Sequence, residues 1–283
     1  MIRTLRDLIN TSSNITRDRP AIVFGSAPSI RSLKHNAFTG VKIGVGDMPW
    51  RAPEFGPFDF WVTSNTYYPL PQEQKHLRDM IASTSTILMS PECVRNTQSD
   101  LSVELIQLEK IFTAFDFVLY DQRHFGNLVC KPQANCCKFV SHFNINVSIQ
   151  ELLNETDPND SSPYGLSHTV ASHGFALAVL LGCNPIYIAG VELPEKNKNY
   201  KAYNNFKNPI ISFKGRIHKI LTRFEKSDFF GSARLETLQD FYKIAKIAKL
   251  HGTKVFCLSK TSPLLQIPGV DYMSPKNFKQ MDV

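Results

Sequence analysis

The chain has 283 residues, of which 42% are hydrophobic and 20% are charged, and its formal net charge is +7. This length suffices for one large domain with a substantial core, and no segment approaches the roughly 20 apolar residues that a membrane-spanning helix needs. Residues 1–17 lack the continuous apolar core and small-residue cleavage site of a secretory signal, so we expect a cytoplasmic protein.

The cysteines argue against a disulfide framework and against a zinc site. No two of them have the two-residue gap of a zinc knuckle, which favours a reducing compartment and no metal. The six cysteines are Cys93, Cys130, Cys136, Cys137, Cys183 and Cys257.

The positive charge is spread along the chain and is densest from Lys196 to Arg223. A nucleic-acid-binding protein usually adds a known module, and none is evident. A basic surface also concentrates small anionic substrates and anionic lipid headgroups. We therefore expect a small anionic ligand and no nucleic acid.

The N-terminal segment carries Ile2, Leu5, Leu8 and Ile9 on one helical face. This pattern favours a short helix docked on the domain. Peripheral contact with the inner face of a membrane is the alternative that the same amphipathic pattern leaves open.

Short apolar segments alternate with helix-like segments along the chain, which is typical of a parallel sheet with helices on both faces. We predict strands at 21–25, 41–46, 58–64, 86–90, 186–193 and 254–259, and helices at 73–83, 169–182 and about 233–251. The prediction is one Rossmann-like domain over residues 1–283: an α/β, three-layer fold with a mainly parallel sheet.

Two regions interrupt this alternation. Residues 121–165 are polar and rich in Asn, as surface loops are. Residues 194–231 form a basic and aromatic insertion directly after a predicted strand. An insertion above the strand ends is where a lid over a ligand would lie. A solvated peripheral loop is the alternative.

The first predicted strand ends in a turn of small residues. In this turn Gly25 gives backbone freedom, Ser26 offers a hydroxyl, Ala27 keeps the turn narrow and Pro28 starts the next helix. We assign this turn, through Ser29, to the phosphate of a nucleotide, with a tight structural turn as the alternative. It is not the dinucleotide fingerprint, because the second and third glycines of that motif are missing.

The next two predicted strands also end in polar or small residues. Asp47 follows Gly46 and lies 22 positions after Gly25, where an acidic residue usually binds ribose hydroxyls. A cap for the following turn is the alternative for Asp47. The third strand is followed by Asn65. Asp47 also leaves open an NAD or S-adenosylmethionine site, which the incomplete glycine pattern weakens.

The motifs "GSAPSI", "IGVGD", "WVTSN", "HTVASHGFALAVLLGCNPIYIAGVEL" and "NYKAY" occur in this order over most of the chain. Together they resemble the bacterial sialyltransferases of the family that includes the Campylobacter lipooligosaccharide enzymes. They also resemble the related clan of motility-accessory-factor and DUF115 proteins. The resemblance implies a Rossmann-like domain with a lid that uses a CMP-activated sugar and requires no cofactor.

The resemblance also implies roles for single residues. Gly25, Ser26 and Ala27 match the turn that holds the nucleotide phosphate, and Gly46 or Asp47 matches a nucleotide-binding asparagine. The other implied nucleotide contacts are Asn65, Thr169, Ser172 and Glu192, and Tyr200 matches a lid tyrosine that steadies the leaving phosphate.

The chain departs from the family at several positions, and Pro194 lies where the family has its other lid tyrosine. The arginine before the core helix is missing, and Ser232 lies where the family has its catalytic histidine. His218 is the histidine within the predicted lid, and we assign it as the general base because its ordinary pKa lies near neutrality. His168 and His173, at the start of the core helix, are alternatives.

Three functions remain open from the sequence. The first is transfer of a sugar from a CMP-activated donor to a glycan acceptor. The second is a DUF115-type enzyme resembling a pyrophosphokinase, which would use ATP and Mg²⁺ held by Asp47 and Glu192. The third is a nucleotide-binding accessory protein without catalysis, which the mismatch at Ser232 favours. A homo-oligomer is compatible with each of them.

Overall fold

The computed structural model describes residues 2–33, 38–63, 79–89, 116–119, 169–193 and 229–281. Nine strands in these residues form one sheet, in the order β1-β6-β5-β4-β3-β2-β7-β8-β9. All the pairings between neighbouring strands are parallel. The strands are β1 (Ile2–Thr4), β2 (Ala21–Phe24), β3 (Val41–Val45), β4 (Phe58–Thr63), β5 (Thr84–Met89), β6 (Asp116–Leu119), β7 (Ile186–Ala189), β8 (Val255–Cys257) and β9 (Val270–Tyr272).

Helices accompany the sheet throughout the described residues. The α-helices are α1 (Leu5–Thr16), α2 (Ala52–Phe55), α3 (Val170–Leu180), α4 (Phe229–Leu250) and α5 (Pro275–Met281). Three 3-10 helices span Pro28–Leu33, Met48–Arg51 and Pro263–Gln266. The predicted α/β Rossmann-like fold is confirmed.

Strand β2, in the interior of the sheet, shows how the two faces of the sheet are covered. Ala21 and Val23 belong to one apolar cluster, which includes α1, α3 and α4. Ile22 and Phe24 belong to a second cluster with the Pro28–Leu33 helix, α2 and α5. Because successive side chains of a strand point to opposite faces, these clusters are the two interfaces of a three-layer fold.

Helix α3 is buried along most of its length, and its side chains are almost all apolar. A helix that is hydrophobic all round belongs in a core. It packs on β2, β3, β4 and β7 and beside α4, where the rings of Phe175 and Phe241 stack with centroids 5.5 Å apart. Gly174 faces the sheet, because a Cβ there would lie 2.7 Å from Val45 Cγ1.

The prediction of an N-terminal helix with Ile2, Leu5, Leu8 and Ile9 on one face is partly wrong. Ile2 lies in β1, and the helix begins at Leu5. Leu8 and Ile9 are buried in the core as a docked helix requires. The strand at the start arises from pairing with β6, whose residues are distant in sequence and were not predicted as a strand.

Helix α4 begins at Phe229, four residues before the predicted start. The last three residues of the predicted lid, 229–231, therefore belong to this helix. Gly231 lies in the first turn of α4, where the amides have no intrahelical partner, so a poor helix former costs little there. Residues 194–228 of the predicted lid lie outside the described residues. Residues 73–78 of the predicted helix 73–83 lie outside them as well.

The described part of the chain contains no helix with the length and apolar character of a membrane span.

Gly174→Ala is expected to destabilise the protein by about 1–3 kcal/mol, although alanine is normally the better helix former. The new methyl group would overlap Val45 of β3. Urea unfolding of the wild type, of Gly174→Ala, of Val45→Ala and of the double variant measures the effect. The loss caused by Val45→Ala should be smaller in the Gly174→Ala background, and strictly additive losses would contradict the close approach.

Burial raises the pKa of the Cys183 thiol from 9.0 to about 12, and the charges of Arg19 and Asp59 contribute less. An acid whose pKa is raised by folding stabilises the native state below its unfolded pKa, and that contribution is lost as the pH rises towards the folded value. The stability difference between wild type and Cys183→Ala should therefore shift against the wild type from pH 9 upwards, by at most about 1.4 kcal/mol per pH unit. Urea unfolding at pH 8, 9 and 10 measures it; a difference that stays constant would contradict a buried thiol.

Candidate functional site

The strand order of the sheet reverses between β2 and β7. β3, β4, β5 and β6 lie on one side of β2, whereas β8 and β9 lie beyond β7. The Pro28–Leu33 helix after β2 packs on one face of the sheet, and α4, the next described element after β7, packs on the other. In open parallel sheets, ligands bind outside the carboxyl ends of the strands at such a reversal. We call the carboxyl ends of β2, β3 and β7 the switch-point edge.

Two glycines bring the backbone after β2 into close contact with the backbone after β7 at the switch-point edge. The Gly25 N–H donates to Ala189 O at 2.7 Å, and the Ala27 N–H donates to Gly190 O at 2.9 Å. A Cβ on Gly25 would lie 2.3 Å from Gly190 O, and a Cβ on Gly190 would lie 2.3 Å from Gly25 O. Gly190 also has a φ of +67°, which other residues rarely adopt. Neither position can therefore carry a side chain without displacing the other loop.

A hydrogen-bonded pair spans the same edge just beyond the glycines. The Ser29 hydroxyl donates to Glu192 Oε1, and the Ser29 N–H donates to Glu192 Oε2 at 3.4 Å. Ser29 follows β2 and Glu192 follows β7, and both residues are half-buried. The pair places a carboxylate at the reversal point of the sheet.

The short segment after β7 is also held from the β8 side. The Ser262 hydroxyl, which is buried, donates to Val191 O at 2.6 Å and accepts from the Leu264 N–H. Leu193 has a φ of +42°, a conformation that costs free energy in a non-glycine residue and persists only where its surroundings impose it. The backbone that presents Glu192 is thus fixed by contacts on both sides.

The turn after β3 is fixed by the buried Trp61. Its Nε1–H donates to Gly46 O at 2.6 Å, and the Gly46 N–H donates to Val62 O at 3.0 Å. Asp47 precedes the Met48–Arg51 helix but makes no side-chain cap hydrogen bond to it. Asp47 is thus the N-cap residue of this helix through its backbone oxygen, which accepts from the Trp50 N–H at 3.2 Å, and not through its side chain. Its assignment to ribose stays a prediction.

Thr169 and Ser172 form the cap of α3. The Ser172 N–H donates to Thr169 Oγ1 at 3.3 Å, and the Ser172 hydroxyl donates to Thr169 O at 2.9 Å. This cap lies beside the turn after β3, since a Cβ on Gly46 would lie 3.9 Å from Val170 Cγ2. His173, in the same turn of α3, is buried. A nucleotide contact by Thr169 or Ser172 stays a prediction beside their structural role.

All the described residues that were assigned from sequence to the nucleotide lie at this edge or beside it. They are Gly25, Ser26, Ala27, Pro28, Ser29, Gly46, Asp47, Thr169, Ser172 and Glu192. Asn65, Tyr200 and His218 lie outside the described residues. Sequence reasoning missed Gly190 and Ser262. The motif "IAG" before "VEL" gave a signal for Gly190, because a small residue directly after a buried strand also marks Gly25.

No metal site accompanies this arrangement in the residues that the structure describes, because they contain no group of three or more His, Cys, Asp or Glu able to hold an ion. The two cysteines among them, Cys183 and Cys257, are free and buried. Burial raises the pKa of Cys257 as it does that of Cys183. Both thiols are therefore protonated near neutrality and are poor nucleophiles.

Comparison of the chain with protein-family models, with curated proteins and with solved structures finds no match.

Gly190→Ala is expected to destabilise the protein by more than about 3 kcal/mol, because the methyl group meets Gly25 O and the residue has a left-handed conformation. Gly252→Ala is the matched control. Gly252 has a similar φ of +72°, but a Cβ there would have nothing within 4 Å. Gly252→Ala should lower the free energy of unfolding by only about 1–2 kcal/mol, which is the cost of a left-handed backbone conformation for a residue with a Cβ. Equal losses of unfolding free energy in the two variants would contradict the close contact of the two loops.

Proposed function

We propose that the chain binds the ribonucleotide part of a CMP-activated sugar at the switch-point edge and transfers the sugar to a glycan acceptor. The observation that carries the proposal is the pair of Ser29 and Glu192, which places a hydrogen-bonded carboxylate at the point where the strand order reverses. The motif order that resembles the bacterial sialyltransferases supports the choice of nucleotide and of reaction.

We assign different parts of the nucleotide to different groups at this edge. Glu192, an acceptor when ionised, suits the hydroxyl groups of ribose, and Asp47 lies at the end of the adjacent strand β3. The first amides of α3 suit an anion, because the N-terminus of a helix carries partial positive charge. Thr169 fixes where α3 begins and so where those amides lie.

Sugar transfer requires two further groups. The bond between the anomeric carbon and the CMP phosphate oxygen breaks through an oxocarbenium-like state, so donors must stabilise the charge that grows on the phosphate. A base must take the proton of the acceptor hydroxyl as the new bond forms. We propose Tyr200 for the first task and His218 for the second.

A nucleotide-binding accessory protein is the second candidate. Ser232 stands where the resembled family has its histidine, and in this chain that residue lies within α4. The proposal of an ATP- and Mg²⁺-dependent enzyme has less support, because both Glu192 oxygens already accept hydrogen bonds from Ser29. A magnesium ion would have to replace or share these bonds.

CMP is expected to raise the melting temperature of the protein. At 100 times its dissociation constant it should add about 2.7 kcal/mol of stability, whereas NAD, S-adenosylmethionine and ATP with Mg²⁺ should add little. Asp47→Asn should weaken CMP binding about tenfold. The control Asp271→Asn, an exposed residue of β9 at the far edge of the sheet, should leave it unchanged.

Incubation with CMP-sialic acid separates the candidates. Release of CMP supports a transferase, and a CMP shift without release supports the accessory protein. A protein that no CMP concentration stabilises, or that only ATP with Mg²⁺ stabilises, contradicts the proposed function.

A further inference from the structure

From the sequence, we assign the turn after β2, including Ser29, to the phosphate of a nucleotide. In the structure, both the hydroxyl and the N–H of Ser29 donate to the carboxylate of Glu192. The hydrogen-bonding groups that a phosphate would use at Ser29 are therefore already bound to an anion that belongs to the chain itself.

A phosphate brought to Ser29 would also lie next to this carboxylate. Two negative charges at contact distance repel each other, and the repulsion is stronger at a half-buried position than in water. A hydroxyl group has the opposite preference. An ionised carboxylate has about four lone-pair positions, of which Ser29 uses two, and the remainder accept hydrogen bonds from hydroxyl donors.

The carboxylate cannot easily turn away from this position. Gly190 O accepts from the Ala27 N–H, and Val191 O accepts from the buried Ser262 hydroxyl. Glu192 therefore extends from a backbone that is fixed on the β2 side and on the β8 side. The direction of its carboxylate is then set by Ser29.

We propose that Ser29 is a positioning residue for Glu192 and that the two together make the turn after β2 a subsite for the hydroxyl groups of the nucleotide sugar, from which phosphate is excluded. This proposal rests on the proposed function, since it specifies how the same edge orients the nucleotide. It places the ribose hydroxyls at Glu192 and directs the phosphate away from Ser29.

The test compares CMP with 2′-deoxy-CMP, 3′-deoxy-CMP and inorganic phosphate by isothermal titration calorimetry. The proteins are the wild type, Ser29→Ala, Ser29→Thr, Glu192→Gln and the double variant Ser29→Ala/Glu192→Gln. Ser32→Ala is the matched control, because its exposed hydroxyl lies on the same 3-10 helix and donates to the Ser29 backbone carbonyl. Melting temperatures identify variants that retain the fold.

The wild type should bind CMP about tenfold more tightly than the weaker-binding deoxy analogue. Glu192→Gln should abolish most of this preference and should bind phosphate more tightly, because the repelling charge is gone. Ser29→Ala should reduce the preference to about threefold, and Ser29→Thr, which keeps the hydroxyl, should restore it. Adding Ser29→Ala to Glu192→Gln should change the preference no further, whereas a purely structural role of Ser29 would lower all affinities equally.

Two failures are distinguishable. If the wild type binds CMP but folded Ser29→Ala and Glu192→Gln keep the full preference for the ribose hydroxyl, the hydroxyl subsite is wrong and the proposed function stands. If Ser32→Ala reduces the preference for the ribose hydroxyl as much as Ser29→Ala does, the hydroxyl subsite is also wrong. If the wild type binds no CMP at all, the proposed function fails and this inference fails with it.

Discussion

The contact between Gly25 and Gly190 is the constraint on which the rest of the site depends. The loop after β2 donates two backbone hydrogen bonds, from Gly25 N–H to Ala189 O and from Ala27 N–H to Gly190 O. The two backbones then lie so close that neither glycine tolerates a methyl group. In parallel sheets the loops on the two sides of a strand-order reversal lead to opposite faces. Here they stay in contact beyond the ends of the strands, through the hydrogen bond from Ala27 to Gly190 and then through the pair of Ser29 and Glu192. Because the two backbones are in such close contact, neither Gly25 nor Gly190 can be replaced by a residue with a side chain. The hydrogen-bonded pair of Ser29 and Glu192 lies beyond this contact.

The pair of Ser29 and Glu192 follows from that contact. Gly190 accepts a hydrogen bond from the β2 loop, and Val191 accepts one from Ser262. The backbone at Glu192 is therefore fixed, and the Glu192 side chain accepts a hydrogen bond from Ser29 where the strand order reverses. A carboxylate that is held in this way attracts hydroxyl donors and repels anions. The same edge therefore combines an acidic position with the N-terminus of α3, which favours negative charge. A nucleotide has both hydroxyl groups and a negatively charged phosphate. Because the carboxylate and the N-terminus of α3 are at different places on the edge, they would bind a nucleotide in one orientation.

The sequence was enough to predict the class of fold, because both faces of the sheet are buried and its central strands are continuous apolar runs. It also placed the small residues after β2 correctly. The short edge strands β1, β6 and β9 were not predictable in this way, since they depend on pairing with distant residues. The charged residues Asp240 and Lys243 are buried in α4, whereas the aromatic Tyr242 of the same helix is 43% exposed. The helical spacing of apolar residues alone does not show which side chains of a helix its neighbours bury. Nor could spacing show that Ser29 binds Glu192, which lies 163 residues away.

The central claim is that a nucleotide binds where β2 and β7 end. Hydrogen–deuterium exchange with and without saturating CMP, followed by mass spectrometry of peptides, tests it most directly. Bound CMP should slow exchange in the peptides that contain residues 26–33, 46–51 and 190–193, and should leave 263–281 unchanged. Slowed exchange confined to 263–281, or to the amino ends of the strands, would contradict the claim.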